Sequence, residues 1–423
     1  MRIRGRYIAA VVTLSVVFFL MTACGGQPTV SVSGDLPNGG QTSPAGITVP
    51  VPPYLVDQIL VKFENRVPVS TRDQVLSRLG AERIAEIGGI GTLVLKVPAG
   101  LVEAKVGEFL RQPGVEYAEP DYVHTAFLTP NDTYWGLQWG QNNTGQSSSN
   151  CFAAGTADAD IDGPEAWDLT TGSSSVRIAV LDTGIQDNHP DLSGKVVLAR
   201  SFIGGSPKDG HGHGSNVAGI AAAKSNNAIG VAGTCWLCSL MNGKVLNNAG
   251  SGSASSSSNG ITWAADNGAK VINMSYGSSS FSQTEQNAVS YAWNQKGVVL
   301  VAAAGNSNSS SFFYPAHYSN VIAVAATENN DVKASFSNYG SWVHVAAPGY
   351  CIASTYKNSG YVYMSGTSQA SPHVAGEAGL IFSKFPAYTN AQVRDKIFSS
   401  VDAISGTGTY WVYGRINAWN AVQ

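Results

Sequence analysis

The sequence predicts a large α/β domain, a parallel sheet covered by helices on both faces, preceded by a small α+β domain. From about residue 125 onward, continuous apolar runs at 176–181, 240–246, 271–274, 298–303, 321–325 and 343–346 alternate with helical stretches near 213–224, 258–267, 283–296 and 368–385. Runs of Val, Ile and Leu without polar alternation need apolar cover on both faces, which parallel strands joined by helices receive. Between residues 57 and 123 the pattern is instead β-α-β-α-β. Strands fall at 59–63, 92–97 and 115–117 and helices at 70–79 and 102–110, with room for a further strand at 83–87. That order suits a small sandwich of the split βαβ type. In a parallel sheet the site lies beyond the carboxyl ends of the strands, so residues that end apolar runs are the candidates for chemistry.

At 423 residues the chain is too long for one average domain. Its hydrophobic content of 43% is ample for a large core, and its charged content of 13% is well under the roughly 25% of average soluble domains. Ser, Gly and Asn stand in for the missing charge, which suits an extracellular protein. A net charge of −3 gives no electrostatic case for nucleic acid as a partner.

Arg2, Arg4 and Arg6 precede an apolar run at 7–21, the pattern of a secretory signal at 1–24. The run is short for a membrane-spanning helix, and no second span follows. Met21-Thr22-Ala23-Cys24 resembles a bacterial lipobox, with Met21 where leucine is usual; the likeness implies that Cys24 carries lipid. Residues 25–56, rich in Gly, Pro, Ser, Thr and Val without helical period, read as a linker. With Cys24 set aside, Cys151, Cys235, Cys238 and Cys351 are left for an oxidising compartment. Four cysteines allow three connectivities, and all three stay open. Cys235-Trp236-Leu237-Cys238 has the spacing of half a zinc site, but no second pair lies nearby, so disulfides or buried thiols are expected.

Three stretches gather chemistry. Ile178-Ala179-Val180-Leu181-Asp182-Thr183-Gly184 ends a buried strand on a carboxylate, which is costly unless hydrogen-bonded. Alone, it could be a turn aspartate. Asp209-Gly210-His211-Gly212-His213-Gly214-Ser215-Asn216 flanks His213 with glycines and leads into small residues that let a helix pack closely. His211 and His213 would make only a weak two-histidine metal site, with no further ligand in view. Ser365-Gly366-Thr367-Ser368 opens a helix and sets a hydroxyl beside free backbone N–H groups, where the helix dipole favours an anion. Pro372 is read as lying near that helix start, where a missing N–H costs little. Alone, a capping serine on a core helix is the simpler reading.

Jointly the three stretches resemble the signatures of the subtilisin-like serine peptidases, the subtilases, whose triad runs in the chain order Asp, His, Ser. The resemblance covers residues 57–423, because Glu116-Tyr117-Ala118-Glu119-Pro120-Asp121-Tyr122 is similar to the close of that family's inhibitory propeptides. It implies a subtilisin-like catalytic domain at 125–423 and a ferredoxin-like propeptide at 57–124. Residue by residue, it implies Ser368 as nucleophile, His213 as general base, Asp182 as the carboxylate that orients it, and Asn306 as an oxyanion donor. Gly250, Ser251 and Gly252 would be the edge that pairs with an extended polypeptide substrate. Ser275, Tyr276 and Gly277 would form the opposite wall, with tyrosine where leucine is common. Ala303 and Ala304 would line the primary pocket. Phe313, where several relatives have glycine, would either shorten that pocket or turn into the core.

The resemblance further implies one structural calcium ion (Ca2+) on Asp132, Asp191 and Asn227, and no catalytic cofactor. Asp158-Ala159-Asp160-Ile161-Asp162-Gly163 starts like an EF-hand loop, but its twelfth position is Leu169, so these aspartates are read as turn residues. Two positions depart from the family pattern. Asn216 stands where a second histidine is usual, and Gln369 where methionine is usual.

The expected protein is therefore a secreted or envelope-bound, monomeric serine endopeptidase made as a self-processed zymogen. Its own propeptide would be an intramolecular inhibitor, and membrane contact would come only through lipid on the precursor. A catalytically silent relative that binds peptides is the alternative. An acid peptidase of the sedolisin type would need a glutamate in place of His213 and an aspartate near the oxyanion site.

Overall fold

The computed structural model describes residues 29–31, 54–122 and 128–423. The signal segment with Cys24, most of the linker and residues 123–127 lie outside the described residues. By backbone alone, strand β1 (Thr29–Ser31) pairs with a hairpin of the large unit; the described residues 54–122 belong to a separate compact unit.

The small unit runs β2 (Tyr54–Phe63), α1 (Val69–Leu79), β3 (Glu82–Ile87), β4 (Thr92–Lys96), α2 (Val102–Leu110), β5 (Val115–Tyr122). Its sheet order is β3-β4-β2-β5, with every pair antiparallel. This is the split βαβ plan, and β3 fills the room left at 83–87. Every residue of β3 is exposed, so it carries no core-facing alternation and little sequence signal. The core is made by Ile59, Val61, Phe63, Leu93, Leu95 and Phe109, to which α1 adds Val75 and Leu76. Gly80 closes α1 in the left-handed region at φ 63°, returning its N–H to the last turn.

The large unit continues with α3 (Gly163–Leu169), β6 (Arg177–Asp182), β7 (Val196–Ser201), α4 (His213–Ala222), β8 (Ser239–Lys244), α5 (Ala254–Asp266), β9 (Val271–Met274) and α6 (Gln283–Lys296). Next come β10 (Val299–Ala303), β11 (Val321–Thr327), β12 (Val345–Pro348), the hairpin β13 (Ile352–Tyr356) and β14 (Gly360–Met364), α7 (Thr367–Lys384), α8 (Asn390–Ser399), β15 (Gly414–Arg415) and α9 (Ala418–Val422). Eight strands form one parallel sheet in the order β15-β12-β11-β10-β9-β6-β8-β7. Side chains alternate between two buried clusters. Ile178 and Val180 face one with Val217 and Val374, while Ala179 and Leu181 face the other with Ile261 and Val289. Both faces are covered, which is why the strands read as unbroken apolar runs. The winding reverses at β6, which lies between β8 and β9, so Asp182 ends its strand at the switch point of the sheet.

The four cysteines pair as Cys151–Cys351 and Cys235–Cys238. The first closes a separation of 200 residues, the second of only 3. Helix α7 crosses the sheet's middle and is buried along nearly its whole length. Glu377 on it is fully buried, and neither carboxylate oxygen has a partner among the described residues. Burial holds its carboxyl well above the ordinary range, with Asp402 adding to the effect. A folded-state pKa raised above the unfolded one gives stability that is full below the unfolded pKa and is lost as pH rises toward the folded one. Glu377→Gln, which cannot ionise, is therefore expected to flatten the fall in Tm as pH rises above the ordinary carboxylate range. Parallel Tm–pH curves for the two proteins would remove Glu377 from that account.

Candidate active site

Asp182 is fully buried, and its Oδ1 accepts from His213 Nδ1 (2.7 Å) and from the Thr183 N–H (2.7 Å). The backbone brings the two together because glycine flanks the histidine. Gly212 sits at φ 108°, and a Cβ on Gly214 would lie 2.1 Å from the Gly184 carbonyl oxygen, so only glycine lets the start of α4 reach the end of β6. Burial works against the charged form of His213. The Asp182 carboxylate, by charge and hydrogen bond, and then Asp209 outweigh it, so the ring titrates above its ordinary range.

Sequence reasoning passed over Asp209 and Thr183. Asp209 Oδ1 accepts the N–H groups of His211 and Gly212 and the Thr183 hydroxyl, while Oδ2 accepts the N–H and hydroxyl of Ser215. It thus satisfies the donors of the turn that carries His213. The signal was an acidic residue just ahead of a glycine-rich helix start. His211 lies beside His213 with ring centroids 6.2 Å apart, and burial lowers its pKa.

Ser368 is the second residue of α7, 8% exposed, and its backbone N–H has no acceptor among the described residues. In this conformer its hydroxyl donates to the Ser275 carbonyl (2.9 Å). Pro372 does not lie near the helix start: it is inside α7, in the second turn. Its missing N–H would have bonded the carbonyl of Ser368, four residues earlier. That carbonyl instead accepts from the Ser275 hydroxyl (2.9 Å), so the proline frees an acceptor that ties the serine to the end of β9.

Asn306 is exposed just past the end of β10. Its Oδ1 accepts from the Thr367 N–H (2.8 Å) and hydroxyl (3.0 Å). Two donors on that side fix the amide orientation and turn Nδ2 the other way. Thr367, also missed, therefore aims the Asn306 amide while its neighbour presents the hydroxyl.

Gly250 to Gly252 on one side and Tyr276 with Gly277 on the other border a groove of about 570 Å³ that also includes Leu246, Ser257, Phe281 and Tyr314. The Tyr276 hydroxyl is hydrogen-bonded to Ser257 (2.6 Å). Ala303 and Ala304 are buried at the end of β10, and the Ala304 methyl packs into a cluster with Val343, Ala346 and Trp411. Phe313 is half-buried and stands against two loops. A Cβ on Gly277 would fall 2.5 Å from its Cε1, and one on Gly305 3.1 Å from its Cδ1.

Asp132, Asp191 and Asn227 gather around the loop after α4. Asp132 Oδ2 accepts from the Asn226 N–H (2.7 Å), while its Oδ1 is buried without a partner. Burial pushes its pKa up to about 6, and the charge of Asp191 adds to that. Asp191 accepts from Asn227 Nδ2 (3.0 Å), the Val231 N–H and the Tyr361 hydroxyl. Gly230 is forced, since a Cβ there would meet Asp191 Oδ2 at 1.9 Å. Asp160 and Asp162 serve a turn: Asp160 accepts the N–H groups of Asn143 and Asp162, and Asp162 precedes α3. Among the described residues no cluster of three His, Cys, Asp or Glu side chains is placed to hold a metal.

Known proteins match this architecture closely. The profile of the subtilase family, peptidase S8, matches residues 173–414, and that of the fervidolysin N-terminal prodomain matches residues 47–121. The thermophilic serine proteinase of Bacillus sp. strain AK1 is 45% identical over 372 residues, covering 87% of this chain and 88% of that protein. Thermitase of Thermoactinomyces vulgaris is 50% identical over 298 residues, covering 70% of this chain and 99% of thermitase. Among solved structures, a protease of Pseudoalteromonas arctica PAMC 21717 superposes with a TM-score of 0.61 at 32% identity, covering 70% of this chain and 99% of that one. On these matches, the chain belongs to the subtilase family of serine peptidases and carries a fervidolysin-type prodomain ahead of its peptidase domain.

Proposed function

We propose that the protein is a secreted endopeptidase, made as a zymogen, that cuts polypeptides through Asp182, His213 and Ser368. The observation that carries this reading is the Asp182–His213 hydrogen bond at the switch point of the sheet. Ser368 Oγ attacks the scissile carbonyl carbon as His213 Nε2 takes its proton; Asp182 holds the proton of Nδ1 and so fixes the tautomer. The oxyanion forms against the Ser368 N–H and Asn306 Nδ2. His213 then returns the proton to the leaving amine, and water hydrolyses the acyl-enzyme by the same route. The hydroxyl of Ser368 must rotate away from the Ser275 carbonyl to reach His213. That resting bond is the one feature that favours a catalytically silent peptide binder. Labelling by a serine-directed fluorophosphonate separates the two readings: modification confined to Ser368 supports the peptidase, and its absence at neutral pH refutes it.

Substrate would enter as an extended strand between Gly250–Gly252 and Ser275–Gly277, recognised mainly through its backbone. The place of Phe313 between Gly277 and Gly305 supports the shortened-pocket alternative over burial in the core. A peptide library is expected to show weak cleavage after phenylalanine and tyrosine, and strong preference for either would exclude a shortened pocket.

Residues 57–124 would inhibit the peptidase until processed between about Tyr122 and Thr129, and the lipid on Cys24 would then anchor only the precursor. A structural calcium ion fits the partnerless buried Oδ1 of Asp132 and its acidic neighbour Asp191. Those side chains, with Asn227 and carbonyls of its loop, would hold the ion; it would stiffen the loop and supply no chemical step. Calcium at about 100 times Kd would add about 2.7 kcal/mol of stability. Chelation is expected to lower Tm reversibly, and Asp132→Ala to abolish the response. A Tm indifferent to chelator and calcium would remove the ion.

A further inference from the structure

We infer that Gln369 and Asn216 act as a positioning pair that sets the nucleophile's helix in register with the helix of the general base; this rests on the triad reading above. Gln369 follows Ser368 on α7, and Asn216 lies three residues after His213 on α4. Both side chains are fully buried, and Gln369 Nε2 donates to Asn216 Oδ1 at 3.0 Å. The two departures from the family pattern are therefore in contact with each other.

The rest of the network points the same way. Asn216 Nδ2 donates to the Thr355 carbonyl (3.3 Å), and the Asn216 carbonyl accepts from the Ser354 hydroxyl (2.8 Å). The Thr355 hydroxyl donates to the Ser215 carbonyl (2.7 Å). Strand β13 thus grips the first turn of α4 at three points, and the Gln369 amide extends that grip to α7. Gln369 Oε1 is buried without a partner among the described residues. A buried amide that accepts this deficit, yet spends its donor on Asn216, is placed for that bond. Removing Gln369 leaves Asn216 Oδ1 buried without that donor, and removing Asn216 leaves both polar ends of the Gln369 amide unpaired, so α4 and α7 can shift against each other. The distance between His213 and Ser368 is then no longer held. A misplacement of about 1 Å in such a pair can cost about 100-fold in rate.

The test compares kcat, KM, the pH profile of kcat/KM and Tm for wild type, Gln369→Met, Asn216→His, and the double variant that installs both usual family residues. Each single variant is expected to lower kcat by about 10- to 100-fold with KM nearly unchanged, and to move the acidic inflection of kcat/KM downward as His213 loosens from Asp182. The double variant should recover most of kcat and the inflection together. Single variants that lower Tm but keep kcat and the inflection would overturn the proposal, as would losses that simply multiply in the double variant. Gln369→Met keeps volume and hydrophobic fit; if it does not fold, Asn216→Ser tests the same bond from the other side. Fluorophosphonate labelling of wild-type Ser368 checks the triad reading separately, so a failure there and a failure of the pairing are told apart.

Discussion

Ser368→Ala is expected to remove proteolysis almost entirely, by about 10⁶-fold in kcat, the size of loss known for the nucleophile of another member of this family. The reason is local. The alanine leaves the Asp182–His213 bond, the Ser368 backbone N–H and the Thr367-oriented Asn306 in place, so binding and oxyanion stabilisation persist without an attacking atom. A residual rate of about 10³ to 10⁴ over water is the expected remainder. Because the deleted hydroxyl donates only to the Ser275 carbonyl, whose helix-side partner bond from Ser275 to the Ser368 carbonyl survives, Tm should move little. If maturation is self-processing, the pure variant stays at precursor length. Fractionated cells should then hold the variant on the membrane through Cys24 and release the wild-type catalytic domain. Maturation of the pure variant with no other protease present would sink self-processing, and wild-type enzyme retained on membranes would sink the tether.

What could be read from the chain was what lies close together along it. Asp182 ends an apolar run, His213 is framed by glycines that the geometry requires, and Ser368 opens a helix, so each was visible within a few residues. The covering of the sheet was visible too, because unbroken runs such as 298–303 have no polar face. Contacts between distant segments were not. Thr367 meets Asn306 across 61 positions, and Gln369 meets Asn216 across 153; no local pattern marks either. Of the two disulfides, Cys151–Cys351 spans the same kind of distance, 200 positions, whereas Cys235–Cys238 spans only 3. Helix α8 was missed because only Val393 and Ile397 are buried on it, too narrow a stripe to show a helical period. Pro372 was misplaced for an instructive reason. A proline was assumed to avoid a helix interior, but here the carbonyl it frees, that of Ser368, takes another donor from Ser275.

The last large effect concerns Asp182, where two substitutions should differ. Asp182→Ala removes the acceptor of His213 Nδ1 altogether, so the ring loses both its orientation and its tautomer, and kcat should fall about 10⁴-fold. Asp182→Asn keeps an oxygen. The Thr183 N–H donates to the same Oδ1 that accepts from His213, so an asparagine with its NH2 on that side would set two donors against each other. Its amide oxygen should therefore stay toward the ring, preserving the tautomer while losing the charge. The pH profile carries the sign. In the wild type, Asp182 holds the His213 pKa above its ordinary value of about 6.5, and activity needs the neutral ring, so kcat/KM should rise through an inflection above that value. Without the carboxylate, burial acts unopposed except by Asp209, and the inflection should move down in both variants. Asp182→Asn should then be the more active of the two, with an acidic limb displaced to lower pH. An asparagine variant as slow as the alanine one would show that its amide flips against Thr183. An unmoved inflection would mean that the limb does not report His213.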